Sequence, residues 1–295
     1  MVTFISDLER AVGALAGLAI GDALGAPIEG CPAPRRRIID MEPGGRFRRP
    51  AGRVTDDTTQ AAAVAESLAF CRGFCPEDIV RRLVAGYIRH PEYYGPTSTR
   101  VFSLIVGGVP PYRAAARAHE ALGTSRSNGS VMRGPPIGIF YRGPMVGEVS
   151  RCCSRLTHFD PVAGECSALL NRMVSELCRG SGKAKAFSRA LAGCRSGEVA
   201  DYIGDWRAAG PEPGLDALLC THASVSVFLS TDSFEEAVIA AVNLGGDADT
   251  VGACTGALAG ARYGAGAIPE RWLSSLEDRE YLRDLAYRLW VSGWE

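Results

Sequence analysis

The sequence predicts an all-α fold organised as one compact domain over residues 1–295. Three observations carry that prediction. Apolar residues recur at helical spacing in one segment after another, and no stretch shows the period-two alternation of a half-buried strand. The third is a pair of glycine runs at every fourth residue: Gly13, Gly17, Gly21, Gly25, and Gly252, Gly256, Gly260, Gly264. Each glycine costs a helix about 1 kcal/mol relative to alanine, so four in register require a second helix or a ligand close to the backbone. A membrane-dimer reading of the same spacing is weaker, because Asp22 interrupts the apolar run Ala11 to Gly21 short of the ~20 residues a bilayer requires.

Taken in order, Ser6-Asp7-Leu8-Glu9 reads as a capping box ahead of Leu8, Val12, Leu15 and Ala19 at helical spacing. Pro27 ends that helix and leaves Glu29 on a turn. Cys31 to Arg53 is rich in Pro, Gly and Arg, a surface loop whose tract Arg35-Arg36-Arg37 is a solvated run or a phosphate contact. Thr55 caps a helix to about Cys71 through Ala61, Val64 and Leu68. Pro76 opens a helix from Glu77 to His90, a Pro/Tyr/Gly turn follows, and further helices span about Thr97 to Val106 and Tyr112 to Leu122. Ser125 to Gly134 is a polar turn with an Asn-Gly dipeptide. Past Cys152 to Leu156, His158 precedes an Ala/Leu-rich helix to about Cys178. Gly180 to Gly214 reads as a surface segment with one short helix at Val199–Trp206. Leu215 to Leu229 and Phe234 to Val242 are apolar helices. Another helix begins after Asp249-Thr250 and ends by Ile268-Pro269, and Arg271 to Trp290 closes the chain.

Composition narrows the function. A chain that is 46% hydrophobic has ample material for a core. With a formal net charge of −1 it has no global field to draw nucleic acid or an anionic membrane. Its ten cysteines include no C-x-x-C pair and no finger-like Cys/His quartet, so they read as small core residues of a reducing compartment. Asp7 and Glu9 stand where a signal peptide needs a positive region. These features together lead us to expect a cytoplasmic protein.

Two acidic clusters remain. Thr55, Asp56 and Asp57 offer three oxygen donors at one helix start; Asp247, Asp249 and Thr250 offer three more at another, after the Gly245-Gly246 pair. Carboxylates in the first turn of a helix are favoured by its dipole, which alone would account for Asp56 and Asp57. Asp57, however, falls on the apolar stripe, where an unpaired carboxylate is costly. Carboxylates and hydroxyls without imidazole or thiolate suit hard cations such as Mg²⁺ or Mn²⁺. Four aspartates are better matched by two divalent cations than by one.

Gly21-Asp22-Ala23-Leu24-Gly25 with Glu29, Thr55-Asp56-Asp57-Thr58, Asn128-Gly129-Ser130-Val131-Met132-Arg133, Thr157-His158 and Gly245-Gly246-Asp247-Ala248-Asp249-Thr250 together resemble the ADP-ribosylglycohydrolase family, in particular its dinitrogenase-reductase-activating type. The motifs occur in family order from Gly17 to Pro269. The resemblance implies a compact orthogonal helical bundle with two divalent ions at the bottom of a cleft. Thr55, Asp56 and Asp57 would bind metal from one side, and Asp247, Asp249 and Thr250 from the other. Catalysis would rest on Glu29, Asp57 and Asp249, with Glu29 either contacting ligand or acting as a base. Asn128, Gly129, Ser130, His158 and Tyr263 would line the ADP-ribose cleft. The implied substrate is an ADP-ribosylated protein or related conjugate, arginine-linked by preference. Nucleic acid enters only as an ADP-ribosylated substrate, and the expected state is a monomer. The alternative is a non-catalytic ADP-ribose-binding module. One departure stands out: the bacterial type has an acid shortly before the Asn-Gly-Ser turn, whereas Gly123 to Ser127 contains none.

Overall fold

The computed structural model describes residues 5–293. Among them are sixteen α-helices, three short 3₁₀ turns and no β-strand. The helices are α1 (Asp7–Gly25), α2 (Asp56–Cys71), α3 (Pro76–Arg89), α4 (Pro96–Val106), α5 (Pro111–Leu122), α6 (Gly129–Met132), α7 (Pro135–Phe140) and α8 (Pro144–Ser154). They continue as α9 (Pro161–Cys178), α10 (Lys183–Ala192), α11 (Gly197–Gly204), α12 (Ala217–Ser230), α13 (Phe234–Val242), α14 (Ala248–Tyr263), α15 (Glu270–Leu273) and α16 (Arg279–Ser292).

The centre of the molecule is the antiparallel pair α1 and α14. Gly13 faces Gly260, Gly17 faces Gly256 and Gly21 faces Gly252, backbone against backbone. A Cβ added at Gly21 would lie 1.9 Å from the Gly252 carbonyl oxygen, and one at Gly256 2.0 Å from that of Gly17. A side chain of any size is excluded there. The glycine spacing is thus satisfied by a second helix, and it sets the separation of the two elements that carry Asp22 and Asp249. Almost every residue of both helices is buried. By length and hydropathy Asp7–Ile28 could cross a membrane, since the helix runs through Asp22 to Gly25, yet 83% of its most apolar window is buried inside the protein. Its apolarity is used in packing.

Local signals explain most boundaries. The Ser6 hydroxyl accepts from Glu9 N at 3.2 Å, and that of Ser233 from Glu236 N at 3.1 Å, each satisfying a free amide of the first turn. Several expectations need correction. Gly180 to Gly214 holds two helices, α10 and α11, and α11 ends before Trp206. The inner face of α10 is Ala186 and Ala190, fully buried, with Phe187 and Leu191 half-buried beside them, a short stripe set among Lys and Arg. Helix α8 begins at Pro144, well before Cys152, and buries Val146, Val149 and Cys153. The Asn-Gly segment is a single helical turn, α6. All ten cysteines are free, but Cys31, Cys71 and Cys152 are exposed, so only part of the set serves the core.

Candidate active site

Helix α14 begins at Ala248, so Asp249 lies in its first turn and Asp247 at its N-cap. Asp249 Oδ1 accepts from Thr250 N at 2.9 Å. The loop bearing Glu29 is tied to this turn by two backbone hydrogen bonds of 2.7 Å, Gly30 N to Gly246 O and Gly246 N to Cys31 O. Gly245 and Gly246 hold positive φ of 74° and 59°, which glycine adopts without a Cβ penalty. Donor oxygens of Glu29, Asp247 and Asp249 consequently fall within 4.8 Å of one another.

The second cluster arrives on α2. Thr55 is its N-cap; its hydroxyl accepts from Asp57 N and donates to Asp57 Oδ2, each at 3.2 Å. Beneath it lies Asp22 of α1, a fully buried carboxylate. It accepts from Thr55 N at 2.9 Å, from Thr58 N at 3.1 Å and from the Thr58 hydroxyl at 2.5 Å. Asp22 therefore caps α2 from another helix and fixes where Asp56 and Asp57 point. It was not among the site residues expected from the sequence. Its signal was a lone carboxylate on an otherwise apolar helix.

The two clusters meet. Glu29, Asp56, Asp57, Asp247, Asp249 and Thr250 line one cavity of 290 Å³ together with Asn128 and Gly129. Thr55 lines the adjoining cavity beside Asp56. Thr97, Ser98, Ser127 and the exposed Leu215 also reach the cleft; no acidic spacing had marked them. Asn128 Nδ2 donates to Asp247 Oδ2, and its turn is held by Asn128 N to Leu215 O at 2.9 Å.

Desolvation shifts every cleft carboxyl upward, and like charges add to it at most of them. Asp57 is raised by desolvation and then by Asp249 and Asp22; Asp249 by desolvation and then by Asp247 and Glu29. Desolvation likewise raises Asp247, against the Asn128 hydrogen bond. Asp56 is pushed up to about 7 by desolvation and Asp22, against a hydrogen bond of 2.9 Å from Gln60 Nε2. Glu29 is exposed at its tip, yet desolvation by the cleft and then Asp247 raise it, while Arg49 pulls the other way. Asp57 Oδ1 is buried with no hydrogen-bond partner. A buried carboxylate oxygen with nothing to donate to it calls for a proton or a cation. The donor set is all oxygen and fits a hard divalent ion.

A buried relay connects the walls. Arg133, wholly buried, donates to Gln60 Oε1 at 3.2 Å and to the Thr157 hydroxyl at 2.6 Å. Thr157 meets His158 Nδ1 at 2.8 Å, and His158 Nε2 meets the Ser127 hydroxyl at 2.9 Å. Burial, followed by Arg133, lowers His158 to about 3, so the ring is neutral. His158 therefore does not line the cleft as expected. It is fully buried behind Gly129, where a Cβ on that glycine would stand 3.0 Å from the imidazole. Ser130 is also corrected: its hydroxyl accepts from Ser154 at 2.8 Å, inside the protein. Tyr263 is corrected most fully. It closes α14 at the far end from Asp249, about 21 Å away at 1.5 Å per residue. Its hydroxyl reaches Thr231 O at 3.4 Å and its ring faces Lys183.

Comparison with known proteins agrees with this architecture. The family model described as ADP-ribosylglycohydrolase matches residues 5–294. An ADP-ribosylarginine hydrolase, Tri1, from Serratia proteamaculans is 33% identical, covering 96% of this chain and 79% of the relative. The ADP-ribosyl-[dinitrogen reductase] glycohydrolase of Rhodospirillum rubrum is 32% identical over 97% of each chain. A solved structure titled "ADP-ribosylglycohydrolase-related protein complex" superposes with a TM-score of 0.88 at 35% identity, covering 99% of this chain and all of that one. Sequence, fold and relatives agree that the chain belongs to the ADP-ribosylglycohydrolase family and is an enzyme of that class.

Proposed function

We propose that this enzyme uses a binuclear Mg²⁺ or Mn²⁺ site to hydrolyse the N- or O-glycosidic bond between ADP-ribose and a protein side chain, arginine-linked by preference. The observation that carries the reading is the convergence of two acidic clusters on one cavity, with Asp57 Oδ1 buried and unpartnered. Asp56, Asp57 and Thr55 would hold one side of the metal pair, Asp247, Asp249 and Thr250 the other. When bound, the ions would orient the vicinal ribose hydroxyls and lower the pKa of water. The arginine preference is supported by the name of the Serratia proteamaculans relative.

The chain's own residues supply the rest. Asn128 and the Gly129 backbone form a neutral wall suited to a polar ligand, and neutral His158 braces that wall through Ser127. Glu29 is the most exposed of the five cleft carboxyls, and desolvation and Asp247 raise it above its ordinary value, which favours its holding a proton. We assign it the proton transfer that the missing acid before Asn128 would otherwise perform. We read the protein as a single-domain, cytoplasmic monomer.

The test is a panel of ADP-ribosylated arginine, serine and nucleic-acid conjugates, assayed with Mg²⁺, with Mn²⁺ and after chelation. Metal-dependent release of ADP-ribose from the arginine conjugate is expected. Tight ADP-ribose binding without release from any conjugate would replace the hydrolase reading with that of a binding module.

A further inference from the structure

The cleft does not end at Asp56. It adjoins a second cavity of 250 Å³ that shares Asp56 and Tyr93 with the first and is lined by Arg49, Arg53, Arg89 and His90. The loop 43–53 leading to it carries four arginines and no acid. These cations are under-paired. Arg53 meets Glu277, whereas Arg46, Arg49 and Arg89 form no ion pair among the described residues. Besides Asp56, its lining acids are Glu277 and Asp278; Glu92, outside the lining, faces His90 at 3.4 Å. The surface is ordered, because Arg49 sits 4.2 Å from the Tyr93 ring centroid and donates to Val54 O at 2.5 Å. It also reaches the chemistry: Arg49 and Arg46 both bear electrostatically on Glu29.

We propose that this arginine-lined extension docks acidic residues flanking the modified side chain of a protein substrate; the proposal rests on the hydrolase reading above. Arg46, Arg48, Arg49, Arg53 and Arg89 together outnumber the lining acids Asp56, Glu277 and Asp278, which suits a few carboxylates at one lip of the cleft, where complementarity governs encounter and partner choice. A nucleic acid strand is disfavoured, since stacking binders need open aromatic faces. Tyr93 is already stacked on His90, centroids 5.2 Å apart, and covered by Arg49.

The experiment compares peptides carrying one ADP-ribosylated arginine or serine, flanked by Asp/Glu or by Lys, with the free ADP-ribosylated amino acid. The wild type is expected to favour acidic flanks by about tenfold in kcat/KM, a margin that shrinks as salt rises. Arg89→Glu and Arg53→Gln should each reduce that margin, leaving hydrolysis of the free amino acid conjugate unchanged. If the wild type cleaves the free conjugate but shows no acidic preference, the docking surface is refuted while the hydrolase stands. Equal slowing of all substrates in both variants would assign the arginines to ADP-ribose itself and overturn the proposal. No cleavage of any substrate would overturn both readings.

Discussion

Helices α1 and α14 build two regions of opposite character. Along their length they form the glycine seam, where backbone meets backbone and no side chain fits. Where they end, they place Asp22 beneath, and Asp249 within, a cleft crowded with carboxyls. The seam is strict about volume and indifferent to charge; the cleft is strict about charge and has 290 Å³ of room. Substitutions in the two regions should therefore fail in different ways, one by loss of fold and the other by loss of chemistry.

The largest expected effect is in the seam. Gly21→Val places a branched side chain where a single Cβ would already lie 1.9 Å from a carbonyl oxygen. Separating the two central helices should destabilise the protein by more than about 3 kcal/mol, read as loss of a cooperative melt or of folded yield. Gly197→Ala, in α11 with open space around its Cβ, is the control and should be neutral or slightly stabilising. A folded, active Gly21→Val protein would break the contrast.

Asp249→Asn should do the reverse. It removes one of the like charges that raise Asp57, so the metal-free fold should melt at the same temperature or higher. Metal-dependent turnover should fall by about 10³-fold, comparable with loss of a principal electrostatic contact. Far-ultraviolet circular dichroism and a metal titration of activity separate the two effects. Full activity in this variant would remove α14 from the chemistry.

These regions were also unequally legible in the sequence. The seam was written as a strict spacing of four, and Asp57 as a carboxylate on an apolar stripe; both are local patterns, which sequence displays well. Asp22 was visible as an anomaly, but its partners lie 33 and 36 residues away, and no local rule reports such a pairing. Helix α10 was hidden because its packed stripe, Ala186, Phe187, Ala190 and Leu191, is short and lies in a segment rich in Gly, Lys and Arg. His158 is next to the cleft but behind a glycine, a difference of one layer that spacing does not encode. The missing acid before Asn128 was legible as an absence and Glu29 as a candidate base; what the sequence did not display is the Gly30–Gly246 tie that holds the Glu29 loop against the Asp247 turn.

A pH scan of the metal-free protein sharpens the electrostatic half of the comparison. Carboxyls whose folded pKa is raised stabilise the fold below their unfolded value, about 4, and that contribution is lost as pH rises through the folded value. For Asp56 the window closes near 7. His158, held at about 3 by burial and Arg133, acts with the opposite sign, but its contribution is complete above about 6.5. The raised Asp56, Asp57 and Asp249 outnumber it. As pH rises from about 4 toward 7 the chelated protein's Tm should therefore fall by several °C, on the order of 1.4 kcal/mol per pH unit for each carboxyl protonated in the folded state beyond the histidine it offsets. Saturating Mg²⁺ or Mn²⁺ should flatten the slope. A Tm that rises with pH over that range in the chelated protein would mean that the cleft carboxylates are already compensated without metal.

The smallest expected effect concerns Tyr263, which shares α14 with Asp249 and tests whether proximity along the chain has any catalytic meaning here. Its hydroxyl makes one long hydrogen bond, 3.4 Å to Thr231 O, in a part-buried setting, and its ring packs near Lys183 and Arg262. Tyr263→Phe keeps the ring and deletes only that bond, so stability should change by no more than about 0.5–1 kcal/mol. With about 21 Å of helix between it and Asp249, kcat and KM for any ADP-ribosylated conjugate should stay within twofold of the wild type. A KM increase of tenfold would require substrate to extend along the whole of α14, past the glycine seam, and would redraw the boundary between the structural and chemical halves of that helix.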